Sequence, residues 1–244
     1  GYKKQRFRWA YGSVQIVKEH WRALLAGRKL DAAQRFHFAA GWLPWLNDGL
    51  LVLFTVMALG WTLALSLAGG RIAFPPPVFL LPILAVFVVR MVRSVWMYAR
   101  RVPCTLEERL GAAVAGMSLT YTVGRAVWHG LRTRGFPFVR TPKAEDKPAF
   151  LRGLLMARDE AFLTVALWLG AVLTLTVHGR DTRGATLWAA ALVVQSVPYL
   201  ASIAMSFVNV LPAVVRAWYR RHSPVRGLPS VPGAAGQTVA SRRS

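Results

Sequence analysis

The chain has 244 residues, 55% of them hydrophobic, and its 31 lysines and arginines against 10 acidic residues give a formal net charge of +21. Several stretches approach or pass the roughly 18 to 20 apolar residues that a bilayer-spanning helix needs, which argues against a soluble globular domain and for an all-α integral membrane protein. The positive charge lies between the apolar stretches and no nucleic-acid-binding module is visible, so no nucleic-acid partner is expected. A single cysteine, Cys104, excludes a disulfide within the chain, and with five scattered histidines it forms no zinc pattern.

Residues 5–26 read as a basic amphipathic helix in the membrane interface. Phe7, Tyr11, Val14, Val17, Trp21 and Leu24 recur at helical spacing, with Lys4, Arg6, Arg8, Lys18 and Arg22 over much of the remainder. Residues 1–35 form the first segment, and 36–100 hold the first two spans. Gly41-Trp42-Leu43-Pro44-Trp45 places two indoles and a proline near an interface, and the first span covers 49–68. Asn47 and Asp48 stand at its start. Asp48 suits a helix N-terminus there, and contact with a translocating sugar is the alternative.

Pro75-Pro76-Pro77 ends any continuing helix, and the second span runs over 78–97. Arg90 and Arg93 near its far end either snorkel to headgroups or line a polar interior. Residues 101–149 hold a second interfacial helix and a polar loop. Thr105-Leu106-Glu107-Glu108 is a capping box. Leu106, Leu110, Ala113, Met117, Tyr121, Trp128 and Leu131 then mark one stripe, with Gly124 leaving a gap in it. Charges at both ends and Arg125 inside leave no clean apolar window, so this helix reads as interfacial rather than spanning.

Residues 150–215 hold the third span, 161–177, opened by the interface pair Asp159-Glu160. The fourth span, 185–215, is broken by Pro198 and Pro212. The basic tail 216–244, rich in Arg, Pro, Gly and Ser, reads as disordered. The turns at 69–72 and 178–184 carry only three arginines, so four spans with both ends cytoplasmic satisfy the positive-inside rule.

Two short motifs bear on function. Gln5, Arg8 and Trp9 lie within about one helical turn, where a guanidinium can grip a diphosphate and an indole can stack on a sugar. Far downstream, Phe136-Pro137-Phe138-Val139-Arg140-Thr141-Pro142-Lys143 puts a hydroxyl and an ammonium on a loop that can close over a diphosphate. The first run resembles the Gln-(Gln/Arg)-x-Arg-Trp signature of family 2, cellulose-synthase-like membrane glycosyltransferases, and Arg6 fits its second position. The second resembles their gating loop, Phe-x-Val-Thr-x-Lys. Phe138, Thr141 and Lys143 match, while Arg140 stands where the pattern has valine, similar to a Phe-x-Arg-Thr-Pro-Lys version of more distant bacterial relatives.

The resemblance covers most of the chain as topology but few specific residues. It implies that Gln5 and Arg8 sit near the diphosphate and acceptor, and that Trp9 stacks on the acceptor sugar. Thr141 and Lys143 would touch the nucleotide, with Phe138 seating the loop. Trp42, Trp45, Trp61 and Trp96 would be candidate sugar stackers along a path between the helices, although each taken singly is better read as a packing or interface residue. The implied partners are a UDP- or GDP-hexose, a glycan acceptor and the lipid bilayer of an inner or plasma membrane, with accessory subunits left open.

None of the ten acidic residues forms Asp-x-Asp, and no Thr-Glu-Asp occurs. The nucleotide-sugar-binding GT-A domain, its Mg²⁺ or Mn²⁺ and the catalytic base are therefore expected upstream of Gly1, in a longer protein, and no catalytic or metal-binding residue is assigned in this chain. The competing reading is a non-catalytic membrane-anchoring or transport module with basic cytoplasmic loops, and a third is a non-processive transferase acting on a lipid or periplasmic glycan.

Overall fold

A computed structural model describes residues 2–26, 30–69, 71–135, 155, 157–179 and 182–210. The described residues form helices and turns, with no strand among them. Among the described residues seven α-helices follow in chain order: α1 (Tyr2–Ala26), α2 (Ala32–Leu67), α3 (Leu81–Arg101), α4 (Leu106–Met117), α5 (Thr120–Arg132), α6 (Arg158–His178) and α7 (Arg183–Val210), with a 3₁₀ turn at Pro77–Phe79 before α3.

α2, α6 and α7 are long and apolar enough to cross a membrane. The expected second span corresponds to α3, whose second half carries Arg90, Arg93, Arg100 and Arg101.

α2 is one unbroken helix rather than an approach followed by a span. It starts at a capping box: Asp31 Oδ1 accepts from Gln34 N at 2.7 Å, and Gln34 Oε1 accepts from Asp31 N at 3.1 Å. Pro44 sits inside it, so Asp48 lies in the helix interior rather than at an N-terminus. The capping box at Thr105 and Glu108 is present as expected. The helix it opens divides at Ser118 and Leu119, where Ser118 Oγ donates to the Ala115 carbonyl at 2.7 Å and Leu119 turns inward against Ala10 and Tyr11. α7 continues through Pro198, which is buried among neighbouring helices, so this proline does not break the span. Pro212 and the tail 216–244 lie outside the described residues.

The three spanning-length helices bury an unusual set of side chains. α2 buries Asp48, Leu51, Thr55, Ala58, Thr62 and Leu65, and α6 buries Glu160, Thr164, Leu167, Ala171 and Thr174. Each set steps by three or four residues, the spacing of helices packed nearly parallel. Many leucines, valines and phenylalanines point outward instead, among them Leu53, Val56, Phe162, Leu169 and Val172. Threonine hydroxyls inside donate to carbonyls one turn back, as Thr55 does to Leu51 at 2.9 Å and Thr62 to Ala58 at 2.8 Å. With its own hydrogen used, Thr55 accepts from Gln195 Nε2 and from Tyr199 Oη, both at 2.7 Å. Trp188 Nε1 donates to Thr62 Oγ1 at 2.9 Å. Polar contacts thus tie α7 to α2 where lipid-facing and core-facing leucines would be energetically alike.

α5 crosses α2 at glycines. A Cβ at Gly124 would lie 2.5 Å from the Asp48 carbonyl oxygen and 2.5 Å from Val52 Cγ2, and Trp128 Nε1 donates to the Gly49 carbonyl at 2.8 Å. The gap that Gly124 leaves in its stripe is filled by the α2 backbone. Gly124→Ala is expected to destabilise the protein by about 1–3 kcal/mol through overpacking. Gly60→Ala, in open space on α2, should be neutral or stabilising by up to about 1 kcal/mol. Thermal unfolding in detergent monitored by size exclusion checks both.

Candidate functional site

α1 docks on α5. Ala10, Tyr11 and Val14 are buried, Ala10 and Tyr11 packing with Leu119, Val123 and Ala126. Val14 approaches so closely that a Cβ on Gly130 would lie 3.0 Å from its own Cβ. The expected apolar stripe is recovered at Tyr11 and Val14, but Trp21 is exposed, and the small Ala10 is fully buried in its place.

Polar contacts complete the docking. Gln15 Nε2 donates to the Gly130 carbonyl at 2.8 Å, and Lys18 Nζ to the carbonyls of Gly130, Leu131 and Thr133 at 3.0–3.1 Å. A cation over the last carbonyls of α5 meets the negative end of its dipole. Thr133 Oγ1 donates to the His129 carbonyl at 2.8 Å and so accepts from Tyr11 Oη at 3.1 Å. At the other end of α1, Lys3 Nζ reaches Glu160 Oε1 at 2.6 Å and Ser202 Oγ at 2.8 Å. Glu160 is 2% exposed, a buried anchor for α1 rather than half of an interface pair. Its neighbour Asp159 accepts from Arg125 Nη1 at 3.1 Å and from Tyr121 Oη at 3.3 Å. Partial burial, then the Asp159 charge, push the Tyr121 phenol above its ordinary pKa, so it stays protonated and donates.

The opposite face of α1 carries the motif. At 100° per residue, Gln5, Trp9 and Gly12 fall within about 60° of arc on the side away from Tyr11 and Val14, and Arg8 stands at the border, about 20° from the docked Gln15. Gln5 is exposed, Arg8 is half-buried and Trp9 is 52% exposed. The Arg6 guanidinium stands 4.8 Å from the Trp9 ring centroid and 5.0 Å from that of Tyr2, and donates to Tyr2 Oη at 2.8 Å. Arg6 therefore braces the indole by a cation–π contact. An indole, an amide and a guanidinium converge on one side, a set able to hold a flat sugar face and an anionic group.

Phe138, Thr141 and Lys143, with Arg140, lie outside the described residues. Trp61 and Trp96 are exposed on their helices, and Trp45 packs against the α1–α5 core, so these three do not line a common interior path. Trp42 packs its ring 4.9 Å from Phe38.

Asp48 and Arg90, separate candidates in the sequence, form an ion pair between α2 and α3, so Arg90 faces protein rather than snorkelling alone. Among the described residues no group of three or more His, Cys, Asp or Glu side chains could hold a metal ion, so the implied Mg²⁺ or Mn²⁺ has no ligand set in them. Comparison with protein-family models, with curated proteins and with solved structures gives no match.

Removing the Lys18 cap exposes three carbonyls at the end of α5. Lys18→Ala is expected to cost about 1 kcal/mol. Hydrogen exchange should quicken at the last turn of α5 and at the buried face of α1, while the centre of α7 stays protected.

Proposed function

We propose that this chain is the membrane region of a family 2, cellulose-synthase-like glycosyltransferase, whose intact form passes a hexose from UDP- or GDP-hexose to a growing polysaccharide or glycan. The observation that supports the reading most is the outer face of α1. Gln5 and Trp9 are exposed on one side of the helix with half-buried Arg8 beside them, and Arg6 braces the indole. A helix serving only as an anchor has no need to fix an amide, a guanidinium and an indole on one side.

In this reading α2, α3, α6 and α7 are four spans, and α1 with the α4–α5 pair forms an interfacial layer. Both chain ends lie on the cytoplasmic side of an inner or plasma membrane, where the lysines and arginines gather. The GT-A domain, with Mg²⁺ or Mn²⁺ and the base, belongs to a part of the protein outside this chain. Transfer breaks the bond between the anomeric carbon and the diphosphate oxygen. It joins that carbon to the acceptor oxygen, whose proton passes to the base. Arg8 and Lys143 offset the charge growing on the leaving diphosphate. Trp9 gives the acceptor ring a flat surface and Gln5 a hydrogen-bonding amide, while Thr141 closes over the nucleotide and Phe138 seats the loop.

The test is nucleoside-diphosphate release by the intact protein in membranes, across UDP- and GDP-sugars with Mg²⁺ or Mn²⁺. One donor should give release, and Trp9→Ala and Lys143→Ala should each lower it about 100-fold or more. Trp9→Ala should change thermal stability by no more than about 0.5 kcal/mol, since the ring is half exposed. Release undiminished in both variants would reduce the two motifs to membrane anchors.

A further inference from the structure

A concave feature lies elsewhere on the bundle, with no residue of α1 in its lining. Between α2, the 3₁₀ turn and α3 on one side and α7 on the other runs a cleft of about 240 Å³. Phe54, Leu84, Phe87, Leu187 and Val194 are among its walls. Gln195 is a polar side chain at its edge, and its amide nitrogen is already bonded to the Leu51 carbonyl and Thr55. Leu84, Leu187 and Val194 are 47%, 39% and 39% exposed, so the cleft opens sideways between helices. Among the described residues α3 packs on α4 and on the 3₁₀ turn.

One end of the cleft is closed by charge. Asp48 stands one turn from Leu51 on α2, Arg90 stands one turn from Phe87 on α3, and the two pair there. The Asp48 side chain is 7% exposed but that of Arg90 is 30% exposed. A guanidinium carries five N–H donors, more than one carboxylate oxygen and the Gly116 carbonyl can use. Arg93, exposed, follows on the next turn of α3.

We propose that this cleft binds an anionic phospholipid of the surrounding bilayer, with one acyl chain in the apolar slot and the head-group phosphate on Arg90 and Arg93. Two of its walls belong to α2 and α7, helices of spanning length and apolarity, so a sideways opening between them meets hydrocarbon. Water in the slot would lack the two to four polar partners it needs. From Leu81 to Arg90 the α3 wall rises about 13 Å, enough for the upper part of an acyl chain below a phosphate held at the arginine end. Guanidinium and phosphate match in charge and in hydrogen-bond geometry. The inference rests on the membrane reading of α2 and α7 and is independent of the transferase reading.

The experiment places the protein in neutral-lipid nanodiscs containing phosphatidylglycerol with a photoreactive diazirine acyl chain, and maps crosslinks by mass spectrometry. Labels should cluster at Leu84, Phe87 and Val194, and unlabelled phosphatidylglycerol should compete where phosphatidylcholine does not. Ala191→Trp and Leu84→Trp fill the slot from opposite walls. Each should cut labelling of Phe87 and Val194 about tenfold, equivalent to about 1.4 kcal/mol. Arg93→Gln should erase the preference for phosphatidylglycerol and leave the Asp48–Arg90 pair intact. Labelling equal to that of Phe162 and Leu169 on the outer face of α6, or undiminished in both folded tryptophan variants, would mean ordinary annular lipid and overturn the site. Release of the protein from membranes by alkaline extraction would overturn it differently, by removing the membrane reading.

Discussion

Gly124 of α5 lies against the carbonyl of Asp48 on α2, and much of the molecule depends on that contact. Only a residue without a side chain allows the two backbones to come so close. The close approach brings the Trp128 indole to the Gly49 carbonyl and aligns α5 as a platform. α1 then lies on the other side of that platform, fixed by Tyr11, Val14, Gln15 and Lys18. The motif face is therefore positioned at second hand: α2 places α5, and α5 places α1. Because the docked side of α1 makes these contacts, Gln5 and Trp9 are left exposed on the other side, with Arg8 at the border.

The interior is organised by hydrogen bonds more than by apolar burial. In water, burying leucine drives helices together. In hydrocarbon that drive is lost, because a leucine on the outside is as well solvated as one within. α2, α6 and α7 follow the second logic. Their contacts combine threonine, serine, glutamine, tyrosine and small residues with Leu65, Leu167, Trp188 and Leu192, while many other bulky aliphatics face out. Thr55 shows the saturation this requires, with one hydrogen donated and two accepted inside a tightly packed core.

The same logic explains what could be read from the sequence. Capping chemistry is local, so Thr105 and Glu108 announced their helix correctly, and Asp31 with Gln34 carried an equal signal for α2. That signal is easily passed over because Pro44 and two tryptophans downstream resemble the punctuation of an interface. The seam between the spans was illegible for a physical reason. Hydropathy distinguishes apolar from polar faces, and here both faces are apolar, with the buried one marked only by hydroxyls. Gly124 was visible as a gap in a stripe, but what fills it is a backbone 76 positions away in sequence, at Asp48. The Gln5, Arg8 and Trp9 grouping was legible because helical spacing alone puts them on one side. The partner that braces Trp9 is Arg6, three residues before it, a contact that follows from the same periodicity.

Charge is distributed along the bundle by depth. Lys3 with Glu160, Arg125 with Asp159 and Arg90 with Asp48 all gather where α1, α5 and the starts of the buried seams meet. Further along α2 and α7 only neutral groups remain, Thr55 with Tyr199 and Gln195, then Thr62 with Trp188. An ion is costly at the centre of a bilayer and tolerable near its surface, whereas a saturated hydroxyl is acceptable throughout. The sequence of ion pairs, then hydroxyls, then apolar contacts therefore identifies the α1 end as the polar boundary of the bundle. A half-exposed indole braced by a guanidinium is stable at such a boundary, apolar on one side and wet on the other.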